Sequence, residues 1–545
     1  MQDNLIGIYT QSFRKHWSLN AFSDFQGTAI TYGEAAQLIR QIHCFFLESG
    51  ISKGDKIAIL GRNSSNWAVS FLAVAGYGAV NVPILPDFNP DDIHHILSHS
   101  DSQFLFAADN FLEKLDTKKI PGLKGIVSLT DFSGLYFSSA TDKELWVNCF
   151  SAEHAGISTP ENFELVDYGM VDVSIISYTS GTSGFSKGVM MPARSLLSNI
   201  NYAQDHMPLK SGDRIVSFLP MAHVFGLLFE FLFPISVGCH VTFLSKAPTP
   251  QLIIKAFKEI KPALILSVPL VIEKIYKKNI LPAIEKPIVK FLLKVPVIQQ
   301  ILFKKVRASL VETFGGNFHE IVIGGAPLNH EVEAFFRKIK FPFTIGYGMT
   351  ECGPLISYEP WNSFRSSSSG RLVDRMEVRI NSKDPYNEVG EILVRGDNVM
   401  LGYNKNEKAT SDAIDSEGWL HTGDLGIIDA DNFIYIRGRC KNMLLGPSGQ
   451  NIYPEEMEAK LSNYPFVLEC VITERNGKLV ALVYPDPDRI ALESPDEQQL
   501  KAIMEENCRL VNKELPKFGQ LNSIILVDKE FEKTPKRNIK RYLYT

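Results

Sequence analysis

The sequence predicts an α/β protein with largely parallel sheets, and three observations carry that expectation. Short β-branched runs alternate with helical patterns: KIAIL (56–60) is followed by a helical stretch over 66–77 and then by AVNVP (79–83). Several such runs pass directly into glycine- or hydroxyl-rich loops, and open α/β sheets gather ligand groups at the carboxyl ends of their strands. Third, the chain of 545 residues exceeds what one hydrophobic core organises. A division near 439–441 gives a large domain, 1–440, with mostly parallel sheets flanked by helices, and a small α+β domain, 441–545.

In chain order, the further strand candidates are DVSIISY (172–178), RIVSF (214–218), ALILS (263–267), EIVI (320–323) and FTI (343–345). The C-terminal segment has VLECVI (467–472) and LVALV (479–483). There is no internal repeat, and the low-complexity tract is the serine run 366–369.

Composition, 45% hydrophobic and 21% charged, is that of an ordinary soluble globular protein. A net charge of −5 gives no reason to expect a nucleic-acid partner. The seven cysteines are scattered, odd in number and never in a CxxC pair. Local spacing therefore argues against a disulfide framework and against a zinc site, and it suits a reducing cytoplasm. The N-terminus lacks the basic start and apolar core of a signal peptide. The most apolar stretch, 225–238, contains Glu230 and is shorter than the roughly 18 residues a spanning helix needs. Between Glu273 and Arg307, nine Lys/Arg face two Glu, interleaved with apolar groups. This is either an amphipathic surface for anionic lipid or a solvated basic helix face packed on its own domain.

The run YTSGTSGFSKG (178–188) reads as a phosphate-holding loop. Glycines let backbone N–H groups approach an anion, hydroxyls add donors, and Lys187 brings a mobile positive charge. It is not the common P-loop, because Gly181 is followed at that spacing by Ser186-Lys187-Gly188 and not by Gly-Lys-Ser/Thr.

Six more motifs follow: FLPMAHVFG (218–226), GGAP (324–327), GYGMTECGP (346–354), GWLHTGD (418–424), IRGRCKN (436–442) and GQNIYPEEME (449–458). Together and in this order, the seven resemble the adenylate-forming superfamily of acyl-CoA synthetases, luciferases and peptide-synthetase adenylation domains, over essentially the whole chain. The resemblance implies activation of a carboxylate by ATP with Mg²⁺, giving an acyl-adenylate and pyrophosphate, then transfer to coenzyme A. It further implies that Thr179, Ser180, Gly181, Thr182, Ser183, Gly184 and Lys187 clamp the β- and γ-phosphates. Gly325, Ala326 and Pro327 would form a wall between adenine and the acyl pocket. Within Gly346, Tyr347, Gly348 and Thr350, Tyr347 would stack on adenine and Thr350 contact the α-phosphate, while Glu351 would hold Mg²⁺. Asp424 and Arg439 would take the ribose hydroxyls, to which a carboxylate can accept two bonds at once. His223 resembles the gate beside the reacting carboxylate, in a positioning role. The small domain would be mobile, with Lys441 as its hinge and Gly449 in the run that lines the thiol tunnel.

The sequence departs from the family's pattern near its end. Relatives place a catalytic lysine where this chain has Asn538, and asparagine carries no charge to neutralise a developing phosphate. Lys536 or Lys540, two residues to either side, is the substitute candidate; without one, the chain would be a weakly active nucleotide- or acyl-binding homologue. VPLVIEKIY (268–276) resembles an element of long-chain fatty acyl-CoA synthetases, which favours a fatty acid substrate. A separate acyl carrier protein is the alternative acceptor, and peripheral membrane contact accompanies the lipid-like substrate.

Overall fold

In the computed structural model, which describes residues 4–166, 169–179, 186–284, 286–292, 295–445, 450–534 and 539–544, strand Lys56–Leu60 lies inside an eight-stranded sheet. Its side chains explain why this run is continuously apolar. Ile57 and Ile59 enter one core and Ala58 and Leu60 the other, so both faces of the strand are buried. The neighbours Val80–Ile84, Ser102–Ala107 and Gly125–Ser128 continue the parallel pairing on either side. Val173–Thr179 pairs in parallel through Asn81 and Ile175; beyond it Lys187–Pro192 is antiparallel, and the edge strand Gly402–Tyr403 pairs antiparallel with Lys187–Pro192 in turn.

Helix Ser65–Tyr77 is buried from Trp67 to Gly76, being apolar on nearly every side. Helix Tyr32–Glu48 starts at a capping box, Thr31 with Glu34, a device worth about 1 kcal/mol. Its inner face carries Tyr32, Ile39, Ile42, Phe45 and Phe46. Strands Ile265–Ser267, Ile321–Ile323 and Phe343–Ile345 form a separate parallel sheet.

The parallel pattern does not extend through 376–439. Here Met376–Asn381, Gly390–Gly396, Leu420–Ile428 and Ile434–Arg439 form an antiparallel sheet, and its register sets Asp424 opposite Arg439. Strands such as MEVRIN alternate buried and exposed residues, and that weaker signal accounts for their absence from the sequence reading.

The C-terminal segment has its own core, including Ile452, Leu461, Phe466, Ile472, Val483 and Val511, around the sheet Val467–Arg475, Lys478–Pro485 and Ser523–Leu526. Arg541 fastens its end through a forked pair with Glu458, with N–O distances of 2.7 and 2.8 Å.

The apolar stretch around Glu230 is a buried helical segment, with a π-helical turn at Leu227–Leu232. The Glu230 carboxyl group is wholly buried and accepts the backbone N–H groups of Phe218 and Leu219, each at 2.9 Å. Among the described residues no helix is long and apolar enough to cross a membrane. In the basic segment, helices Pro287–Leu292 and Pro296–Thr313 expose Ile288 (75%), Phe291 (69%), Val297 (70%) and Ile301 (52%), so these side chains are not packed on their own domain. Elsewhere the fold overrides cysteine spacing: Cys44 and Cys149, far apart in sequence, meet beside Glu48 and His154.

Candidate active site

Motif GYGMTECGP leaves strand Phe343–Ile345 and turns back on itself. Gly346 N–H donates to Ile323 O and Met349 N–H to Pro354 O, both at 2.9 Å. A Cβ on Gly348 would stand 2.0 Å from Pro354 O, so the close approach of the two backbones admits only glycine. The turn buries Tyr347, whose hydroxyl donates to Asp424 Oδ2 at 2.7 Å. The other carboxylate oxygen of Asp424 meets Arg439 Nε at 3.0 Å, as the cross-strand register prescribes. Behind it, Asp424 N–H donates to Thr422 Oγ1 (3.0 Å), and Glu391 accepts from Gly423 N–H (3.1 Å) and contacts His421 Nδ1 (2.9 Å).

Burial pushes the Asp424 carboxyl above the usual carboxylate range. Arg439 and the Tyr347 hydroxyl pull the other way, whereas Glu351 and Glu455 add to the rise. Burial, followed by the charge of Asp424, likewise pushes the Tyr347 phenol well above its ordinary value, so it stays a hydrogen-bond donor. Additional hydroxyl donors reaching Asp424 would favour its ionised form.

A second cluster is assembled beside the first. The strip 400–404 lies along strand Lys187–Pro192: Leu401 N–H donates to Met190 O and Asn404 N–H to Gly188 O. Met400 N–H donates to Glu351 O at 2.9 Å, tying the strip to the glycine-rich turn. Tyr403 is thereby set between two motifs. Its hydroxyl donates to Glu351 Oε1 at 2.9 Å, and Lys187 Nζ lies 4.7 Å from its ring centroid. The Glu351 carboxylate and the Lys187 ammonium thus meet at one tyrosine, with the buried Thr350 preceding Glu351 in the chain, a set suited to a hard cation with phosphate oxygens. Tyr403 was not legible as a site residue, since its partners are remote in sequence and Gly402-Tyr403 alone has no distinguishing spacing.

Thr179 ends strand Val173–Thr179, in register with Lys187. Ser180, Gly181, Thr182, Ser183, Gly184, Gly449 and Lys536 lie outside the described residues, as does Asn538. The GGAP loop, with Gly325, Ala326 and Pro327 exposed, meets the 218–226 motif: a Cβ on Gly324 would be 3.1 Å from the Phe225 ring. Gly325 takes a positive φ of 85° beside Val268. His223 precedes the short helical turn Val224–Gly226, its N–H donating to Pro220 O and its carbonyl accepting Leu227 N–H. Lys441 is exposed in the turn Cys440–Asn442. Lys540 Nζ is 3.5 Å from Glu532, within its own domain. A cavity of about 560 Å³ lies elsewhere, walled by Arg62, Asn63, Lys114 and Thr130, away from the motif residues described above.

Comparison with known proteins agrees with this architecture. The chain is 28% identical over 493 residues to a long-chain-fatty-acid–CoA ligase, FadD15, of Mycobacterium bovis, covering 85% of this chain and 78% of the relative. It is 27% identical over 508 residues to 4-coumarate–CoA ligase 3 of Arabidopsis thaliana, covering 88% and 82%. The structure of the anthranilate CoA ligase AuaEII with anthranoyl-AMP superposes with a TM-score of 0.80 at 19% identity, over 99% of this chain and 96% of that one. The fold is that of adenylate-forming enzymes, and residues 10–404 match the family described as AMP-binding enzyme, to which this chain belongs.

Proposed function

We propose that the protein is an ATP- and Mg²⁺-dependent fatty acid–CoA ligase working through an acyl-adenylate. The observation that carries this reading is the adjacency of two clusters, Tyr347–Asp424–Arg439 and Lys187–Tyr403–Glu351, on the motifs of an AMP-binding enzyme. Asp424 and Arg439 would receive the ribose hydroxyls, and Tyr347 would flank adenine. Thr350 would bond the α-phosphate, and Lys187 would draw charge toward the departing pyrophosphate. The fatty carboxylate oxygen attacks the α-phosphorus, the P–O bond to the β-phosphate breaks, and pyrophosphate leaves with the electron pair. The thiolate of coenzyme A then attacks the acyl carbon and AMP departs. Glu351 would hold Mg²⁺, which when bound supplies charge neutralisation for the phosphates. The protein's part is positioning and fixed electrostatics.

The fatty acid rests on the likeness to FadD15 and on VPLVIEKIY, whose Val268 borders Gly325. The exposed apolar residues of 288–301, flanked by exposed Lys286, Lys304 and Lys305, support peripheral contact with an anionic membrane from which the acid is drawn. Rotation of 441–545 about Lys441 would bring the thiol to the adenylate. A second reading, a binding homologue with little ligase activity, is favoured by one observation: Lys540 is held near Glu532 of its own domain. Incubation with ATP, Mg²⁺, palmitate or 4-coumarate, and either coenzyme A or acyl carrier protein decides among these. AMP release with palmitate and coenzyme A is expected, and the absence of AMP release with every acid tried would sink the ligase reading.

A further inference from the structure

Helix Tyr32–Glu48 ends with Cys44 and Glu48, four residues apart and therefore on one face. Against that face lie the end of helix Ala140–Cys149 and the short turn Ala152–Ala155, which deliver Cys149 and His154. One ligand atom from each of the four residues lies within 4.8 Å of every other. The two thiols, the imidazole and the carboxylate come from opposite sides of a packed interface.

That interface is fixed independently of the cluster. Gln37 Nε2 donates to Gly156 O (2.9 Å), Arg40 Nε to Ala155 O (2.6 Å) and Gln41 Nε2 to Phe150 O (2.8 Å), so one side of the helix holds the whole 150–156 segment. Phe45 packs edge-on against Trp146 with ring centroids 4.9 Å apart. Cys149 is buried, Cys44 half-buried, and the side chains of Glu48 and His154 are 34% and 41% exposed, which leaves an entry path. His154 Nε2 and Glu48 Oε1 are 2.7 Å apart. A surface ion pair of that kind contributes little by itself and gives no reason for two cysteines to converge on it.

We propose that Cys44, Glu48, Cys149 and His154 form a structural Zn²⁺ site, remote from the nucleotide-binding motifs. Tetrahedral zinc with Zn–S of about 2.3 Å and Zn–N or Zn–O of about 2.0–2.1 Å requires ligand–ligand edges of roughly 3.3–3.8 Å. The widest separation in the cluster, within 4.8 Å, is about 1 Å beyond these edges, Cys44 Sγ to Glu48 Oε1 at 3.6 Å already matches them, and the 2.7 Å His154–Glu48 pair opens as the two exposed side chains turn onto the ion. Zn²⁺ enters, the two thiol protons leave to solvent, and nitrogen and carboxylate complete the shell. Four protein ligands close the coordination sphere, so the ion joins helices 32–48 and 140–149 and activates no water. Thiolates with imidazole select zinc over magnesium or calcium.

The test uses the untagged full chain, purified with reductant and dialysed against metal-free buffer. Added Zn²⁺ is expected to bind at about one per chain and raise the melting temperature, with the rise reversed by a chelator. Co²⁺ in its place should give the sulfur-to-cobalt charge-transfer band and the intense visible bands of a tetrahedral thiolate site. Cys149→Ser should lower affinity at least about 100-fold; because Cys149 is buried, the surface pair Glu48→Gln with His154→Gln, which leaves the core intact, is the second variant and should lose at least about 10-fold. Substoichiometric metal in the wild type, unchanged Co²⁺ spectra in either variant, or a Cys44–Cys149 disulfide persisting under reductant would each overturn the proposal.

Discussion

The Asp424 and Glu351 clusters and the segment 287–313 embody opposite ways of presenting a surface. Around Asp424 and Glu351, carboxylates are held by partners from distant strands, and the backbone behind them is pinned by threonine and glutamate side chains. In 287–313, apolar groups face outward and lysines flank them. The first region has geometry prepared for a small charged ligand, where displacement of one group leaves another buried and unpaired. The second has area and charge without fixed partners, which suits a soft, extended surface such as lipid. Substitutions in the two regions should therefore fail differently: in rate for the first and in partitioning for the second.

The largest effect is expected at Asp424. Asp424→Ala removes the acceptor of Tyr347 and the counter-charge of Arg439, and kcat/KM for acid-dependent AMP release should fall by about 100-fold or more. An effect under about 3-fold would place the nucleotide elsewhere. Tyr403→Phe keeps the ring under Lys187 and deletes the hydroxyl bond to Glu351. A loss near 10-fold is predicted, partly recovered by raising Mg²⁺, since one hydrogen bond to a charged group is worth about 1.5–3 kcal/mol. A Mg²⁺-independent defect would mean that Glu351 has another task.

Glu230 sharpens the comparison with a pH dependence. Burial holds its pKa well above 4.5, against the pull of the Leu219 and Phe218 N–H groups, so the native chain keeps a proton that the unfolded chain releases. The contribution to stability is complete below pH 4.5 and is lost as pH rises through the raised native value. Glu230→Gln retains an acceptor for Phe218 and Leu219 and abolishes the titration. Its urea midpoint should decline less than the wild type's between about pH 5 and 9; parallel curves would refute the assignment.

On the exposed segment, Phe291→Glu with Ile301→Glu should reduce co-sedimentation with anionic vesicles several-fold. Folding stability should change by no more than about 0.5 kcal/mol, as for surface sites. Equal vesicle binding by the variant would remove membrane contact from the account.

How much of this was legible in sequence differs by region. Strand Lys56–Leu60 and helix Ser65–Tyr77 could be read because Ile57–Leu60 and Trp67–Gly76 are buried on nearly every side and so are largely apolar. The antiparallel sheet 376–439 escaped notice, since its strands alternate with solvent and carry a diluted signal. Tyr347, Glu351, Asp424 and Arg439 stood out as motif residues, but the Tyr347–Asp424 bond and the insertion of Tyr403 between Lys187 and Glu351 are products of long-range register. The Cys44–Cys149 meeting is another: CxxC counting sees only neighbours along the chain, whereas a helix face and a packed turn bring together distant ones.

The central claim, that the two clusters activate a carboxylate through AMP, is tested most directly by exchange of labelled pyrophosphate into ATP. The account predicts exchange that requires both a fatty acid and Mg²⁺ in the wild type and falls about 100-fold in Asp424→Ala. Exchange absent with every acid, or undiminished in Asp424→Ala, would contradict it.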